Sequence, residues 1–260
     1  MPAATRARIL IPLPDRDFDV TEVAVPWRLL SRAGHELVFC TETGAVPQAD
    51  PLLLSGVLFG QLGAAEEACA FYRAMEGTDA FRRPVSWNTV DLAGFDGLLL
   101  PGGHAPGMRQ YLGSIQLQER IAAFFATGKP VGAICHGVLA LARSRDPATG
   151  RSVLYERRTT CLTKVQERTA YWLTAWRRGR YYRTYDAYVE DEVRSALRDP
   201  ERQFQRGPLS LTKRDSETDE KPAFVVVDGS YVSARWPGDA YTFARRFDGL
   251  LRARSIAAGR

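Results

Sequence analysis

The N-terminal segment constrains the fold most, because it predicts a strand, a helix and a second strand in close succession. Arg8–Pro12 is a short apolar run typical of a buried strand. Apolar residues recur at helical spacing over Val20–Arg32, and Gly34 ends that helix. A second apolar run follows at residues 36–40. Such a unit predicts an α/β protein with a doubly wound, mostly parallel sheet and helices on both faces.

The remaining chain continues this alternation with two interruptions. Further strands are predicted at 95–100, 131–134, 158–162, 224–228 and 231–234, and further helices at 64–75, 115–127, 138–143, 165–176 and 239–254. The pattern loosens over 43–90 and 177–222, which are interpreted as insertions. Residues 1–260 are therefore expected to form a single domain that carries both insertions. The charged run 213–221 is expected to be a mobile, exposed loop.

Composition excludes several kinds of partner and cofactor. No apolar run reaches the roughly 20 residues of a transmembrane helix, and the apolar stretch 9–13 is too short for a signal peptide. A cytoplasmic protein without a membrane partner is expected. The net charge is +5, and arginine and tyrosine interleave over 177–185, but no nucleic-acid-binding motif accompanies them. A solvated surface is the preferred interpretation, with no nucleic-acid partner.

Cysteine and histidine are few and dispersed. The four cysteines form no CxxC pair, and the three histidines are His35, His104 and His136. This spacing predicts neither a disulfide framework nor a metal site. No nucleotide-binding glycine motif is present either, so no cofactor is expected.

The most specific motif is Ala133-Ile-Cys-His-Gly137, which follows an apolar strand and precedes a helix. The small residues around Cys135 permit the sharp turn of a nucleophile elbow. Such a turn lifts the sulfur above the carboxyl ends of the strands, where a helix N-terminus favours the thiolate. The alternative is a buried structural cysteine at a tight turn.

Other candidate residues fall near the same predicted edge. Gly102 and Gly103 follow a buried strand and can present backbone N–H groups as an oxyanion hole, although such a pair is often only a turn. Glu22 lies in the first turn of the first helix, where an acid can also serve merely as a dipole partner. His104 and Trp236 are candidate substrate-binding residues, with a surface role and a core or interface role as their alternatives.

Together these segments resemble the signature motifs of the ThiJ/PfpI superfamily, a branch of the class I glutamine amidotransferase-like fold. The similar motifs are Glu22-Val-Ala-Val-Pro26, Leu100-Pro-Gly-Gly-His104, Ala133-Ile-Cys-His-Gly137 and the segment 227–239. The resemblance covers residues 7–41, 95–170 and 223–252. The insertion at 43–90 is similar to the longer branch, which includes heat-shock chaperone and glyoxalase III proteins.

The resemblance implies a role for each matching residue. Cys135 would be the nucleophile, and a protonated Glu22 would hydrogen-bond its sulfur. Gly103 and His136 would offer backbone N–H groups to an oxyanion, and the His136 side chain would assist proton transfer. Glu167 stands near the position where the longer branch carries an orienting Asp. It is the candidate third catalytic residue, although Glu in place of Asp leaves a complete triad open.

The function implied is that of a cofactor-free, cysteine-dependent hydrolase, lyase or hydratase acting on a small carbonyl or nitrile-like substrate. A glyoxalase III-like conversion of methylglyoxal to lactate is one such case. A stress-response chaperone or redox sensor and an amidase or peptidase are the alternatives. Glutamine hydrolysis is not expected, because no histidine follows His136 to complete the triad of glutamine amidotransferases. The resemblance also implies a homodimer.

Overall fold

The computed structural model describes residues 6–58 and 62–257, and its centre is a seven-stranded sheet. In chain order, the strands are β1 (Arg8–Pro12), β2 (Arg16–Phe18), β3 (Glu36–Thr41), β4 (Gln48–Ala49), β5 (Val85–Ser86), β6 (Gly97–Leu100), β7 (Val131–Ile134), β8 (Val225–Asp228) and β9 (Tyr231–Ala234). Across the sheet the order is β5-β3-β1-β6-β7-β9-β8, while β2 pairs separately with β4. All neighbours in the large sheet are parallel except the β8–β9 hairpin. This arrangement confirms the predicted mostly parallel α/β fold.

Helices surround the sheet. They are α1 (Val20–Arg32), α2 (Pro51–Ser55), α3 (Glu66–Glu76), α4 (Asp79–Arg82), α5 (Met108–Gly113), α6 (Ile115–Ala126), α7 (Gly137–Arg143), α8 (Lys164–Arg178), α9 (Val189–Ser195), α10 (Pro200–Gln203) and α11 (Ala240–Ala257), with 3-10 turns at Leu92–Gly94 and Pro237–Asp239. Within the two described ranges, no helix is long and apolar enough to cross a membrane.

The central strands pack helices against both of their faces. A Cβ placed on Gly97 of β6 would lie 3.0 Å from the Phe247 ring of α11, so that face of β6 is covered by α11. The next residue, Leu98, lines a small cavity together with Leu117 and Ile121 of α6. Successive side chains of a strand point to opposite faces, so α6 and α11 lie on opposite sides of the sheet.

The first insertion forms part of the central sheet and its helical layer, whereas the sequence analysis treats it only as an insertion. It supplies β5, which extends the large sheet through parallel pairing with β3. It also supplies α3, which packs against α1. Both β4 and β5 have only two residues, and strands this short carry little of the period-two signal by which strands are recognised.

One local prediction was wrong. Residues 158–162 form no strand, and Thr159 makes only an isolated bridge to Phe204. The run 213–221 is a mostly exposed loop, as predicted, but the buried Asp215 carboxylate anchors it by accepting the backbone N–H groups of Tyr241 and Thr242 at the start of α11. These partners are distant in sequence, so the charge pattern of the run could not reveal them.

The turn from β7 into α7 passes very close to the end of β6. A Cβ on Gly137 would lie 2.0 Å from the carbonyl oxygen of Leu100 and 2.8 Å from that of Pro101. Both contacts are with backbone atoms that the sheet holds in place. Only glycine therefore fits at this position.

Gly137→Ala is expected to lower the free energy of unfolding by about 3 kcal/mol, because the added methyl group has no space. Gly249→Ala is the matched control, since a Cβ at this exposed site in α11 meets no atom within 4 Å. It should be neutral or stabilising by up to about 1 kcal/mol. Urea unfolding followed by circular dichroism measures both variants, and equal stabilities would contradict the packing argument.

Candidate active site

Cys135 occupies a strained turn between β7 and α7. Its φ is +58°, in the left-handed region that residues with a Cβ seldom adopt. Its backbone N–H donates to the carbonyl oxygen of Ala234 in β9 at 3.0 Å, which ties the turn to the sheet. Strain of this kind persists only where the surroundings hold it, and it occurs often at catalytic sites. The structure thus places Cys135 at the carboxyl edge of the sheet, in the geometry of a nucleophile elbow.

Glu22 reaches the same point from α1. Its Oε2 accepts the backbone N–H of Gly102 at 2.8 Å, and its carboxyl lies close enough to the Cys135 thiol to raise the pKa of that thiol. Oε2 of Glu22 and Cβ of Cys135 lie 2.9 and 3.1 Å from the position that a Cβ on Gly102 would occupy. Gly102 therefore leaves the space in which the acid and the cysteine meet.

This contact corrects one part of the predicted oxyanion hole. The Gly102 N–H is already bonded to Glu22, so it is not available to a substrate oxygen. The backbone N–H groups of Gly103 and His136 remain the predicted donors to an oxyanion. The Gly103 backbone is closely packed, since a Cβ there would lie 2.8 Å from the Asp17 carbonyl oxygen.

Two histidines adjoin the cysteine. His136 Nδ1 lies 3.5 Å from Cys135 Sγ, although neighbouring side chains on a turn usually diverge. The His104 ring packs edge-on against the His136 ring at a centroid distance of 4.7 Å. One ring nitrogen of each histidine and the sulfur all lie within 4.8 Å of one another. Sequence spacing places His104 near the same sheet edge but does not predict this contact, because His104 follows β6 and the other two residues follow β7.

Burial sets the protonation of the site. It raises the pKa of the Cys135 thiol well above its usual value, and the nearby Glu22 and Asp19 carboxylates raise it further. Burial likewise raises the pKa of Glu22 and lowers the pKa of His136. At neutral pH the site holds a thiol beside an uncharged imidazole. The expected thiolate is therefore not the resting form, because burial outweighs the hydrogen bond from the His136 backbone.

Asp19 also lies close to Glu22 and Cys135, and the sequence analysis does not identify it as a site residue. Its carboxylate caps α1 by accepting the backbone N–H groups of Thr21 and Glu22 at 2.8 and 3.0 Å. Burial raises the pKa of Asp19 to about 6. A signal existed, because an Asp directly before an apolar helix is a preferred N-cap. The cap positions Glu22 in the first turn of α1.

Glu167 does not complete a triad. Its carboxylate accepts from the Arg183 guanidinium at 3.3 Å and from the backbone N–H of Val189 at 3.0 Å. Across residues 6–58 and 62–257, no carboxylate hydrogen-bonds the His136 ring. The prediction of Glu167 as the orienting acid was wrong, because α8 directs this side chain toward the loop before α9.

A cavity of about 200 Å³ adjoins the cluster. His104 and Trp236, the two candidate substrate-binding residues, both line it. Both insertions contribute walls, which include Leu53, Val57, Tyr182, Leu211 and Arg214. The Cys135 side chain has no exposed surface, and His104 stands between the cavity and the His136 ring that it contacts. A ligand in this cavity would meet His104 before reaching the sulfur.

Asp19→Asn is expected to change the pH dependence of stability. The pKa of Asp19 is raised from 3.8 to about 6 on folding, so its stabilising contribution is complete below pH 3.8 and is lost as the pH rises through 6. Asn caps a helix about as well as Asp and does not titrate. The wild type should therefore lose stability relative to the variant between about pH 4 and 6. Urea unfolding across this range tests it, and a constant difference would contradict it.

Comparison with known proteins extends these observations. A family model described as ThiJ/PfpI family-like matches residues 13–208. A deglycase from Pyrococcus abyssi is 25% identical over 246 residues, which cover 94% of this chain and 99% of the relative. An uncharacterized protein from Schizosaccharomyces pombe is 34% identical over 119 residues, and the match spans only 45% of either chain.

Solved structures agree on the fold. Glyoxalase III from Candida albicans superposes with a TM-score of 0.67 at 18% identity, covering 94% of this chain and 97% of that one. Several curated relatives match over less than half of their own length.

Proposed function

The chain belongs to the ThiJ/PfpI-like family, and from this premise we propose that it is a cysteine-dependent enzyme that converts small 2-oxoaldehydes to 2-hydroxy acids. One observation carries the proposal. The Cys135 sulfur lies in a strained turn, 3.5 Å from His136 Nδ1, and the Glu22 carboxyl is near enough to act on its pKa. The similarity to a deglycase and to the fold of a glyoxalase III supports chemistry on reactive carbonyl compounds.

The first step would be addition of the thiol to the aldehyde carbon of the substrate. As the S–C bond forms, the thiol proton passes to His136 Nδ1, which is uncharged because burial lowers its pKa. The carbonyl electron pair moves onto oxygen. Backbone N–H groups of Gly103 and His136 are the proposed donors to this oxyanion. Return of the proton to oxygen gives a hemithioacetal.

The second step would move hydrogen within the hemithioacetal. The base removes the hydrogen of the sulfur-bearing carbon as a proton, and the neighbouring ketone carbon receives a proton. One carbon is oxidised and its neighbour is reduced, so the step needs no external electron acceptor. The hydroxyl proton of the first carbon passes to the former ketone oxygen, which leaves a thioester on Cys135. Water then cleaves the thioester to a 2-hydroxy acid and the free thiol.

Glu22 would support both steps as a neutral acid. Its pKa is raised well above 4.5 by burial and by the charge of Asp19, and both influences favour the protonated carboxyl. A protonated carboxyl can donate to a developing thiolate, which lowers the cost of forming that charge in a buried site. The cavity formed with the two insertions is the proposed route of entry and the proposed source of substrate selectivity.

Cys135→Ser is expected to lower kcat/KM for methylglyoxal by at least about 1,000-fold, because the alcohol is a far poorer nucleophile. His136→Ala should lower it by about 100-fold or more through loss of the proton acceptor. Nuclear magnetic resonance detection of lactate measures the reaction directly.

Cys69→Ala is the matched control, since Cys69 lies in α3 of the first insertion and should leave activity unchanged. Lactate formation by Cys135→Ser at the wild-type rate would overturn the proposal, as would its absence from the wild type.

A further inference from the structure

We infer that His104, Cys135 and His136 form a binding site for a thiophilic divalent cation such as Zn²⁺, and that the bound ion blocks the sulfur as a nucleophile. These three residues are called the sulfur–histidine cluster below. Their ligand atoms lie within 4.8 Å of one another, at the edge of the cavity that His104 lines.

The spacing of two ligands already suits a tetrahedral ion. With Zn–S near 2.3 Å and Zn–N near 2.0–2.1 Å, tetrahedral angles place sulfur and nitrogen about 3.5 Å apart. Cys135 Sγ and His136 Nδ1 lie 3.5 Å apart. The third ligand atom, on His104, lies within 4.8 Å of the other two, and we expect its side chain to rotate toward the ion on binding. A fourth position, on the side of the cavity, would hold water.

His104 offers an unpaired nitrogen at this point. Its Nε2 is buried and has no hydrogen-bond partner in the described part of the chain. A buried polar atom without a partner destabilises the protein, because it gives up hydrogen bonds to water and gains none in return. Coordination of a cation by the His104 ring would give this side chain the polar partner that the protein itself does not provide.

The surroundings also suit a positive ion. The Asp19 carboxylate lies close enough to act electrostatically on both Glu22 and Cys135. The Arg143 guanidinium acts on His136 with the opposite sign, but it is already paired with Glu192 at 2.6 Å. On binding, the thiol loses its proton to solvent and the sulfur forms a bond to the metal, without oxidation or reduction. The sulfur lone pair is then engaged and cannot attack carbon.

The test is a titration of the untagged, chelator-treated full chain with Co²⁺ and Zn²⁺. One Co²⁺ per chain should produce a near-ultraviolet thiolate-to-cobalt charge-transfer band and intense visible bands of a tetrahedral ion, and Zn²⁺ should displace it. Zn²⁺ should also slow alkylation of Cys135 by iodoacetamide at least tenfold, as quantified by peptide mass mapping.

Variants locate the ion. Cys135→Ser should abolish the charge-transfer band, and His104→Ala should weaken Zn²⁺ affinity by at least about tenfold. His35→Asn and Cys69→Ala are matched controls, because His35 pairs with Asp248 at 2.7 Å and Cys69 lies in α3. Wild-type protein alkylated at Cys135 should show no charge-transfer band with Co²⁺. This control does not depend on whether a variant folds.

Absence of the charge-transfer band from the wild type, or its survival in Cys135→Ser, would overturn the inference. So would a His104→Ala variant that folds normally and binds Zn²⁺ as tightly as the wild type. None of these readouts depends on turnover of a substrate, so the outcome is separate from that of the proposed enzymatic function.

Discussion

The site depends on one hydrogen bond, from the backbone N–H of Gly102 to Oε2 of Glu22 at 2.8 Å. It joins α1 to the loop after β6, directly beside the turn that carries Cys135. Asp19 fixes the start of α1 and thereby the direction of Glu22. Gly102 must lack a Cβ, since that atom would lie 2.6 Å from the backbone nitrogen of His136. The start of α1, the loop after β6 and the turn after β7 are therefore held together at one point.

Burial explains the chemistry of the assembled site. Because water is excluded, ionisation of either Glu22 or Cys135 is unfavourable, and the pKa values of both groups are raised. His136 loses its proton for the same reason and is left as a neutral acceptor beside the sulfur. Charge would then develop only when a substrate enters and the thiol proton passes to His136. The same neutral nitrogens and thiol are the groups that would ligate a soft cation.

Much of the framework was predictable because it is encoded locally. The helix Val20–Arg32, the hairpin strands near 225–234 and the elbow at Cys135 follow from residue periodicity and from small residues beside a strand end. Errors arose where distant partners decide the outcome. Glu167 was assigned to a triad, but Arg183 and Val189 hold its carboxylate.

The sequence by itself determined the main alternation of strands and helices and the nucleophile elbow, since both depend on neighbouring residues. Only the tertiary structure decided which groups meet at the elbow. The Gly102 N–H is bonded to Glu22, and His104 lies beside the Cys135 sulfur. Residues of both insertions line the adjacent cavity. The physical reason is that spacing along the chain does not record which loops converge at a sheet edge. Nor does it record how completely they exclude water, and that exclusion sets the protonation of Cys135, Glu22 and His136.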